Sequence, residues 1–189
     1  EDCTVVENEL TKKNSTGGGA ITLATDNDGL LVDRCRFERN TSVGYGAAIA
    51  VPQSDSSKLV DATIRNSLFA SNTNTSDYAA ALTLTKNCHV VNCTFVRNKT
   101  SGANGAIWAR STENADVRNC IFYGNRTWHP EPVDGDVGGE VFCMNNVSNC
   151  CTSLKYFNTD PAFGNIQSAD PLFVDLEGGD YRIQKKSPC

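Results

Sequence analysis

A six-residue signature recurs along this chain: Cys or Ser, a variable residue, Phe or Val, two variable residues, then Asn. It reads Cys3-Val5-Asn8, Cys35-Phe37-Asn40, Ser67-Phe69-Asn72, Cys93-Phe95-Asn98 and Cys120-Phe122-Asn125, with a weaker copy at Cys150-Thr152. Successive copies lie 26 to 32 residues apart, the length of one supersecondary unit in a stacked-repeat protein. A unit that short has no core of its own. It buries its apolar face only against its neighbours, so the chain is expected to be a coil of near-equal turns.

Two further columns repeat with the first. One is a run of small residues leading into an alternating strand: Gly19-Ala20-Ile21-Thr22-Leu23, Ala47-Ala48-Ile49-Ala50-Val51, Ala80-Ala81-Leu82-Thr83-Leu84 and Gly105-Ala106-Ile107-Trp108-Ala109, with a degenerate copy at Gly139-Glu140-Val141-Phe142-Cys143. The other is Val32, Ile64, Val90, Val117 and Val147, each three residues ahead of the Cys or Ser. Period-2 alternation, short apolar runs and bends rich in Gly, Asn, Asp, Ser and Thr predict about three short strands per turn and no helix in the repeats. The expected fold is all-β, a parallel β-helix of about five to six turns in which equivalent strands stack about 4.8 Å apart. Its turns span residues 1–152, with a protruding loop near 127–138 where Pro130 and Pro132 deny ladder donors, and residues 153–189 form an irregular C-terminal cap across the last turn.

The Asn column at 8, 40, 72, 98 and 125 is read as structural: Asn tolerates the left-handed backbone of a bend, and its amide can pair with those above and below. The Cys column raises two readings. Stacked neighbours Cys3 and Cys35, or Cys120 with Cys93 or Cys150, lie within bridging distance, yet they could equally be free thiols acting as small core residues. Cys151, beside an inward residue, faces out; it and Cys143 are the candidates to tie down Cys189. Nine cysteines in 189 residues with no zinc-like spacing favour an oxidising compartment. Asn-x-Ser/Thr sequons agree with that: Asn14, Asn74, Asn92 and Asn146 are glycosylation candidates, whereas inward amides at Asn40, Asn98 and Asn125 would block attachment.

A net charge of −5 without a basic run argues against nucleic-acid binding, and no apolar stretch is long enough to insert directly into a membrane. No cofactor or metal site is expected. Asp33, Asp61 and Asp116 fall on different columns; Asp26-Asn27-Asp28-Gly29 and Asp134-Gly135-Asp136 have oxygen-ligand composition but only part of a calcium loop's spacing. Of the two histidines, His89 stands beside inward Val90 and so points to solvent, and His129 sits in the proline loop, so no catalytic residue is nominated. The outward positions Asn66, Asn92 and Asn119, with Trp108, are the candidate binding face: a polar column beside an exposed indole suits sugar hydroxyls or a protein contact.

The pairs Gly18-Gly19-Ala20-Ile21 with Phe37-Glu38-Arg39-Asn40, Gly46-Ala47-Ala48-Ile49 with Phe69-Ala70-Ser71-Asn72, and Gly105-Ala106-Ile107 with Phe122-Tyr123-Gly124-Asn125 resemble the GGA[ILV]/FxxN repeats of polymorphic-membrane-protein-like β-helices. The tail Asp170-Pro171-Leu172-Phe173 through Gly179-Asp180-Tyr181-Arg182-Ile183 to Ser187-Pro188-Cys189 is similar to the choice-of-anchor ends of secreted right-handed β-helix proteins. The resemblance implies a right-handed coil, an extracellular or cell-surface location, and adhesive or architectural work. It departs at Ala79-Ala80-Ala81-Leu82, which lacks both glycines, and the start inside a turn suggests a processed piece or one unit of an end-to-end assembly. The expected function is therefore a secreted, non-catalytic surface, matrix or appendage module that associates with itself or with a host or matrix glycan or protein. The alternative is a polysaccharide lyase or glycoside hydrolase using Asp28 or Asp134.

Overall fold

The computed structural model describes residues 1–12, 17–23, 29–51, 61–85, 87–102, 105–109, 115–127, 141–142, 146–153 and 161–189. Four parallel sheets run the length of a coil. The phenylalanine sheet has six strands, Thr4–Val6, Arg36–Glu38, Leu68–Ala70, Thr94–Val96, Ile121–Tyr123 and Cys151–Thr152. The other three have five each: a bend sheet (Glu9–Leu10, Thr41–Ser42, Thr73–Asn74, Lys99–Thr100, Arg126–Thr127), a small-residue sheet (Ile21–Thr22, Ile49–Ala50, Leu82–Leu84, Ile107–Ala109, Val141–Phe142) and a valine sheet (Leu30–Asp33, Ala62–Arg65, Cys88–Val91, Asp116–Arg118, Val147–Ser148). Each turn thus carries four strands rather than three. The additional one is the two-residue strand after each ladder Asn, too short to leave a periodic signal and polar on its inner side, where Ser42, Asn74 and Thr100 are buried.

Register is strict, so identical side chains stack. Phe37, Phe69, Phe95 and Phe122 pair rung to rung, with ring centroids 5.0, 4.9 and 5.0 Å apart and interplanar angles of 3°, 7° and 9°. The offset is set by the strands, and the stacked rings fill one side of the interior. Val32, Ile64, Val90, Val117 and Val147 line another side, and Ile49, Leu82 and Ile107 a third. The small residues ahead of the third column let turns close up. A β-carbon on Gly19 would lie 2.3 Å from the Ala47 carbonyl oxygen, and one on Gly46 would lie 2.8 Å from that of Ala81.

Two sharp bends flank the phenylalanine sheet, each turning on a left-handed residue, and at the Asn bend that residue comes one position earlier than expected. Glu7, Arg39, Ser71, Arg97 and Gly124, rather than the Asn that follows each, have φ between 53° and 63°. The Asn supplies the hydrogen bonds instead. The backbone N–H and the Nδ2 of Asn40 both donate to Asn72 Oδ1 at 3.1 and 3.0 Å; Asn72 repeats this to Asn98, and Asn98 to Asn125. The second Nδ2 proton reaches the preceding turn: Asn72 donates to Phe37 O, Asn98 to Phe69 O and Asn125 to Phe95 O, each at 2.9 Å. Backbone groups that a corner would strand inside the coil are satisfied by a column of amides.

The Cys and Ser column does the same at the other bend. Cys35 N donates to Ser67 Oγ at 3.1 Å, Cys93 N to Cys120 Sγ and Cys120 N to Cys150 Sγ at 3.4 Å. Each Sγ or Oγ donates in turn to the carbonyl two residues back, Asp33, Arg65, Val91, Arg118 or Ser148. Ser67 fits because a hydroxyl donates and accepts in the same geometry as a thiol.

The tail does more than cap. Residues 161–169 add a partial rung: Asn149 N donates to Phe163 O, Thr152 N to Ile166 O and Ile166 N to Cys150 O. Asn165 ends the thiol column, its Oδ1 accepting from Cys150 N at 2.9 Å and its Nδ2 donating to Val147 O at 3.0 Å. The antiparallel hairpin Phe173–Asp175 with Asp180–Ile183 then turns back over the outer face of the phenylalanine sheet. Phe173 packs edge-on between Tyr123 and Tyr181, each 5.7 Å away, and Arg97 pairs with Glu177. Ala70 and Val96, outward neighbours of the stacked Phe rings, are fully buried in consequence.

Replacing Asn72 by Ala leaves the buried Asn40 N without its acceptor and removes the Nδ2 bonds to Phe37 O and Asn98 Oδ1, a loss of about 3 kcal/mol at the usual cost of unmet buried groups. Asn8→Ala, on the exposed first rung, should cost less than about 1 kcal/mol because water replaces the amide. Urea denaturation of the two variants measures the difference.

Asp33 gives a pH test. Its buried carboxylate accepts from Arg65 Nη2 at 2.9 Å, Asn66 Nδ2 at 2.9 Å and Arg34 Nη1 at 2.8 Å, and the Arg65 bond leads in holding its pKa below the ordinary value. A depressed native pKa stabilises the fold fully above the unfolded value, and that stabilisation is lost as pH falls through the native value. The melting temperature should therefore drop below about pH 4, and the gap between wild type and Asp33→Asn should narrow over the same range.

Candidate functional site

The proposed binding face resolves into two separate places. Asn66, Asn92 and Asn119 do form one exposed line with Arg34 and Asn149, but their φ values of 51° to 54° show why the residues are there: each is the left-handed residue that enters the phenylalanine sheet. Asn tolerates this backbone better than other residues with a β-carbon, which accounts for its repetition without a ligand. The amides are also engaged among themselves, with Asn66 Nδ2 donating to Asp33 and Asn92 Nδ2 to Asn66 Oδ1 at 3.3 Å.

Trp108 lies on the small-residue sheet, in register with Thr83, Ala50 and Thr22. The indole was expected to be exposed, but Trp108 is half-buried, and Ala50 and Thr83 in its column are fully buried. Its indole packs against Tyr78 at 5.0 Å, and Tyr78 packs edge-on to Tyr45 at 4.2 Å. An indole enclosed by tilted rings does not present the open flat face a stacked sugar needs. Thr83 Oγ1 beneath has no hydrogen-bond partner among the described residues.

His89 lies on the outward side of its strand, beside buried Val90, and what the sequence did not show is the partner it meets there. The valine sheet sets Leu31, Thr63, His89 and Asp116 in one outward column, so His89 meets a carboxylate 27 residues away on the next turn. Its Nδ1 bonds Asp116 Oδ1, while Asp116 Oδ2 faces Arg118 Nε at 3.1 Å. That contact settles the imidazole's orientation and leaves Nε2 for an open groove of about 640 Å³ lined by Asp61, Thr63, Asn87, His89, Asp116 and Asn146. The groove thus brings an imidazole held by one carboxylate, Asp116, beside a second, Asp61. Asp33, Asp61 and Asp116 stay on separate columns, and among the described residues no three His, Cys, Asp or Glu side chains converge as a metal site.

The cysteines divide by position. Cys35, Cys93, Cys120 and Cys150, all offered as bridge candidates, are buried free thiols engaged in the bend column; Cys3 is free and exposed on the first rung. Burial pushes the Cys120 thiol well above its usual pKa and that of Cys88, buried on the valine sheet, up to about 11. Cys151 occupies the outward column of the phenylalanine sheet, in register with Ile121, and is bonded to Cys189 with Cα atoms 5.6 Å apart. Of the glycosylation candidates, Asn74 is excluded: it is 1% exposed, and its Nδ2 donates to Gly44 O at 3.1 Å and Ala79 O at 2.9 Å. Asn92 and Asn146 are exposed. Asn14, Asp26, Asp28, Trp128, His129, Asp134, Asp136 and Cys143, with most of the expected protruding loop, lie outside the described residues.

With this geometry in hand, residues 1–122 match the family described as right handed beta helix region. The chain belongs to this family. The match covers four copies of the Asn ladder in full and ends on the last of the four stacked phenylalanines, so the β-helix assignment and the ladders rest on the same residues. No curated protein and no solved structure matches the chain.

Native alkylation should follow this burial. Among the described cysteines, iodoacetamide should modify Cys3 within minutes, leave Cys35, Cys88, Cys93, Cys120 and Cys150 untouched until the coil is unfolded, and reach Cys151 and Cys189 only after reduction. Peptide mass spectrometry reads the order directly.

Proposed function

We propose that this β-helix is an extracellular, non-catalytic module of a surface, matrix or appendage structure, working through association with itself or with a partner protein or glycan. The observation that carries the reading is the use to which the repeated residues are put. Each recurrent side chain, the Asn, the Cys or Ser, the Phe and the left-handed Asn outside them, builds the coil. A chain that invests its repeats in a rigid rod suits a role in spacing and display. The Cys151–Cys189 bridge, fastening the tail, supports an oxidising location. The likeness of the GGAI/FxxN pairs and the tail to cell-surface β-helix proteins points the same way.

End-to-end association has a candidate surface in the first rung. At the other end, beside the phenylalanine sheet, residues 161–169 already occupy the next position. Among the described residues no strand pairs with the outer edge of Thr4–Val6, where Val6 is 38% exposed and Val5 only partly buried. Strand edges of this kind template pairing with another chain. Sedimentation velocity over a hundredfold range of concentration should show a reversible dimer that Val6→Lys weakens at least about tenfold. A strictly monomeric species throughout that range would remove the self-association reading.

A further inference from the structure

The coil treats its Asn-x-Ser/Thr sequons in two ways. Three of the five ladder asparagines open one: Asn40-Thr41-Ser42, Asn98-Lys99-Thr100 and Asn125-Arg126-Thr127. The repeat itself spells this motif. The corner needs Asn, and the strand after it turns its second residue inward, where Ser42, Thr100 and Thr127 stand in one column with Asn74. A small hydroxyl fits that place because it serves the local backbone: Ser42 Oγ accepts from Gly44 N at 2.9 Å, and Thr100 Oγ1 from Gly102 N at 3.1 Å.

At these corners the amide is already committed. Asn40 Nδ2 donates to Asn72 Oδ1 at 3.0 Å and Val5 O at 3.1 Å, and Asn98 Nδ2 donates to Asn125 Oδ1 and Phe69 O, each at 2.9 Å. Both side chains are fully buried, and Asn125, bonded to Phe95 O, is 5% exposed. Asn74 of Asn74-Thr75-Ser76 is as fully engaged, with Gly44 O and Ala79 O. Asn92 and Asn146 differ. Each is exposed, and each Nδ2 makes one long bond, to Asn66 Oδ1 and Ala115 O respectively, at 3.3 Å. Asn92 and Thr94, the ends of one sequon, open onto a single groove of about 390 Å³ that Asn66, Leu68 and Tyr181 also line.

We propose that the coil sorts its own sequons: Asn92 and Asn146 are N-glycosylation sites of the folded protein, whereas at Asn40, Asn74, Asn98 and Asn125 a glycan and the coil exclude one another. Transfer breaks the anomeric carbon–oxygen bond of a diphosphate-activated sugar and one Nδ2–H bond, forms the Nδ2–carbon bond, and releases the diphosphate and a proton. At Asn92 the proton that remains still reaches Asn66. At Asn40 or Asn98 it cannot serve both acceptors, and the sugar ring would have to enter the packed interior. Reciprocity follows: a fold that denies the amide to the sugar is opposed equally by a sugar already in place. The sorting stands on these hydrogen bonds; that the chain meets a glycosylating enzyme in life rests on the extracellular reading above.

The full chain is incubated with a soluble N-glucosyltransferase that reads Asn-x-Ser/Thr and takes glucose from a nucleoside diphosphate. One sample is native. The other is first reduced and carboxamidomethylated in denaturant, which blocks the thiol column and keeps the coil open. Peptide mass spectrometry then reads a hexose at each Asn. Among the described sequons, the native chain should gain it at Asn92 and Asn146 alone, and the opened chain at Asn40, Asn74, Asn98 and Asn125 as well. Hexose on any of those four in the native chain overturns the exclusion. A native chain bare at Asn92 or Asn146, where the opened chain is modified, overturns that site. A sequon bare in both states overturns the role assigned to it, because the fold is then not what decides. Protein from its natural source that lacks glycan throughout would count against the extracellular reading and leave the sorting intact, so the two fail separately.

Discussion

Strict rung-to-rung register is the constraint on which this structure depends. Parallel strands about 4.8 Å apart carry like residues onto like, and the interior of the coil is a set of ladders made by that repetition. The rings of Phe37, Phe69, Phe95 and Phe122 stack only because their strands align residue for residue. A one-residue slip would turn them outward and bring Ala70 and Val96 into the interior. The same slip would separate the Asn and thiol columns from their partners, so aromatic packing and corner hydrogen bonding hold one another in place.

Corners are where a coil of short strands risks failure, because backbone groups leave one sheet before entering the next. The two bends beside the phenylalanine sheet solve this with a common plan. A left-handed residue turns the chain, and the following side chain, amide at one bend and thiol or hydroxyl at the other, accepts from the turn before it while donating to a carbonyl. Asn165 shows how strongly the plan is required. Where the thiol column runs out, an amide from the tail takes up the same pair of bonds to Cys150 N and Val147 O. Buried free cysteines coexist with the Cys151–Cys189 disulfide on these terms, since their thiols are engaged and inaccessible.

The surface divides into parts that the coil consumes and parts that it leaves over. The left-handed Asn column and the aromatic group around Trp108 belong to the first kind. The hairpin, bolted by Cys151 and Cys189 and by Arg97 with Glu177, covers the outer phenylalanine sheet. Among the described residues, the His89 groove is of the second kind: His89 and Asp116 from successive turns stand in one column, which is how a solenoid assembles chemistry that no linear motif encodes.

The sequence by itself determined the coil, because periodicity specifies which residues repeat, and repetition at this spacing has one economical packing. It identified the inward Phe, Val and Asn columns and the free-thiol alternative. It did not reveal the strands Thr41–Ser42 and Thr73–Asn74, whose two residues carry no period, nor the shift of the left-handed position to the residue before each Asn, which depends on backbone angles. Only the tertiary structure decided what the outer face does. Loops between strands differ in length from turn to turn, so whether His89 meets Asp116 or the tail buries Val96 is settled by register across turns and by the path of the returning chain. Those relations are long-range, and side chains that meet 27 residues apart have no signature in either neighbourhood.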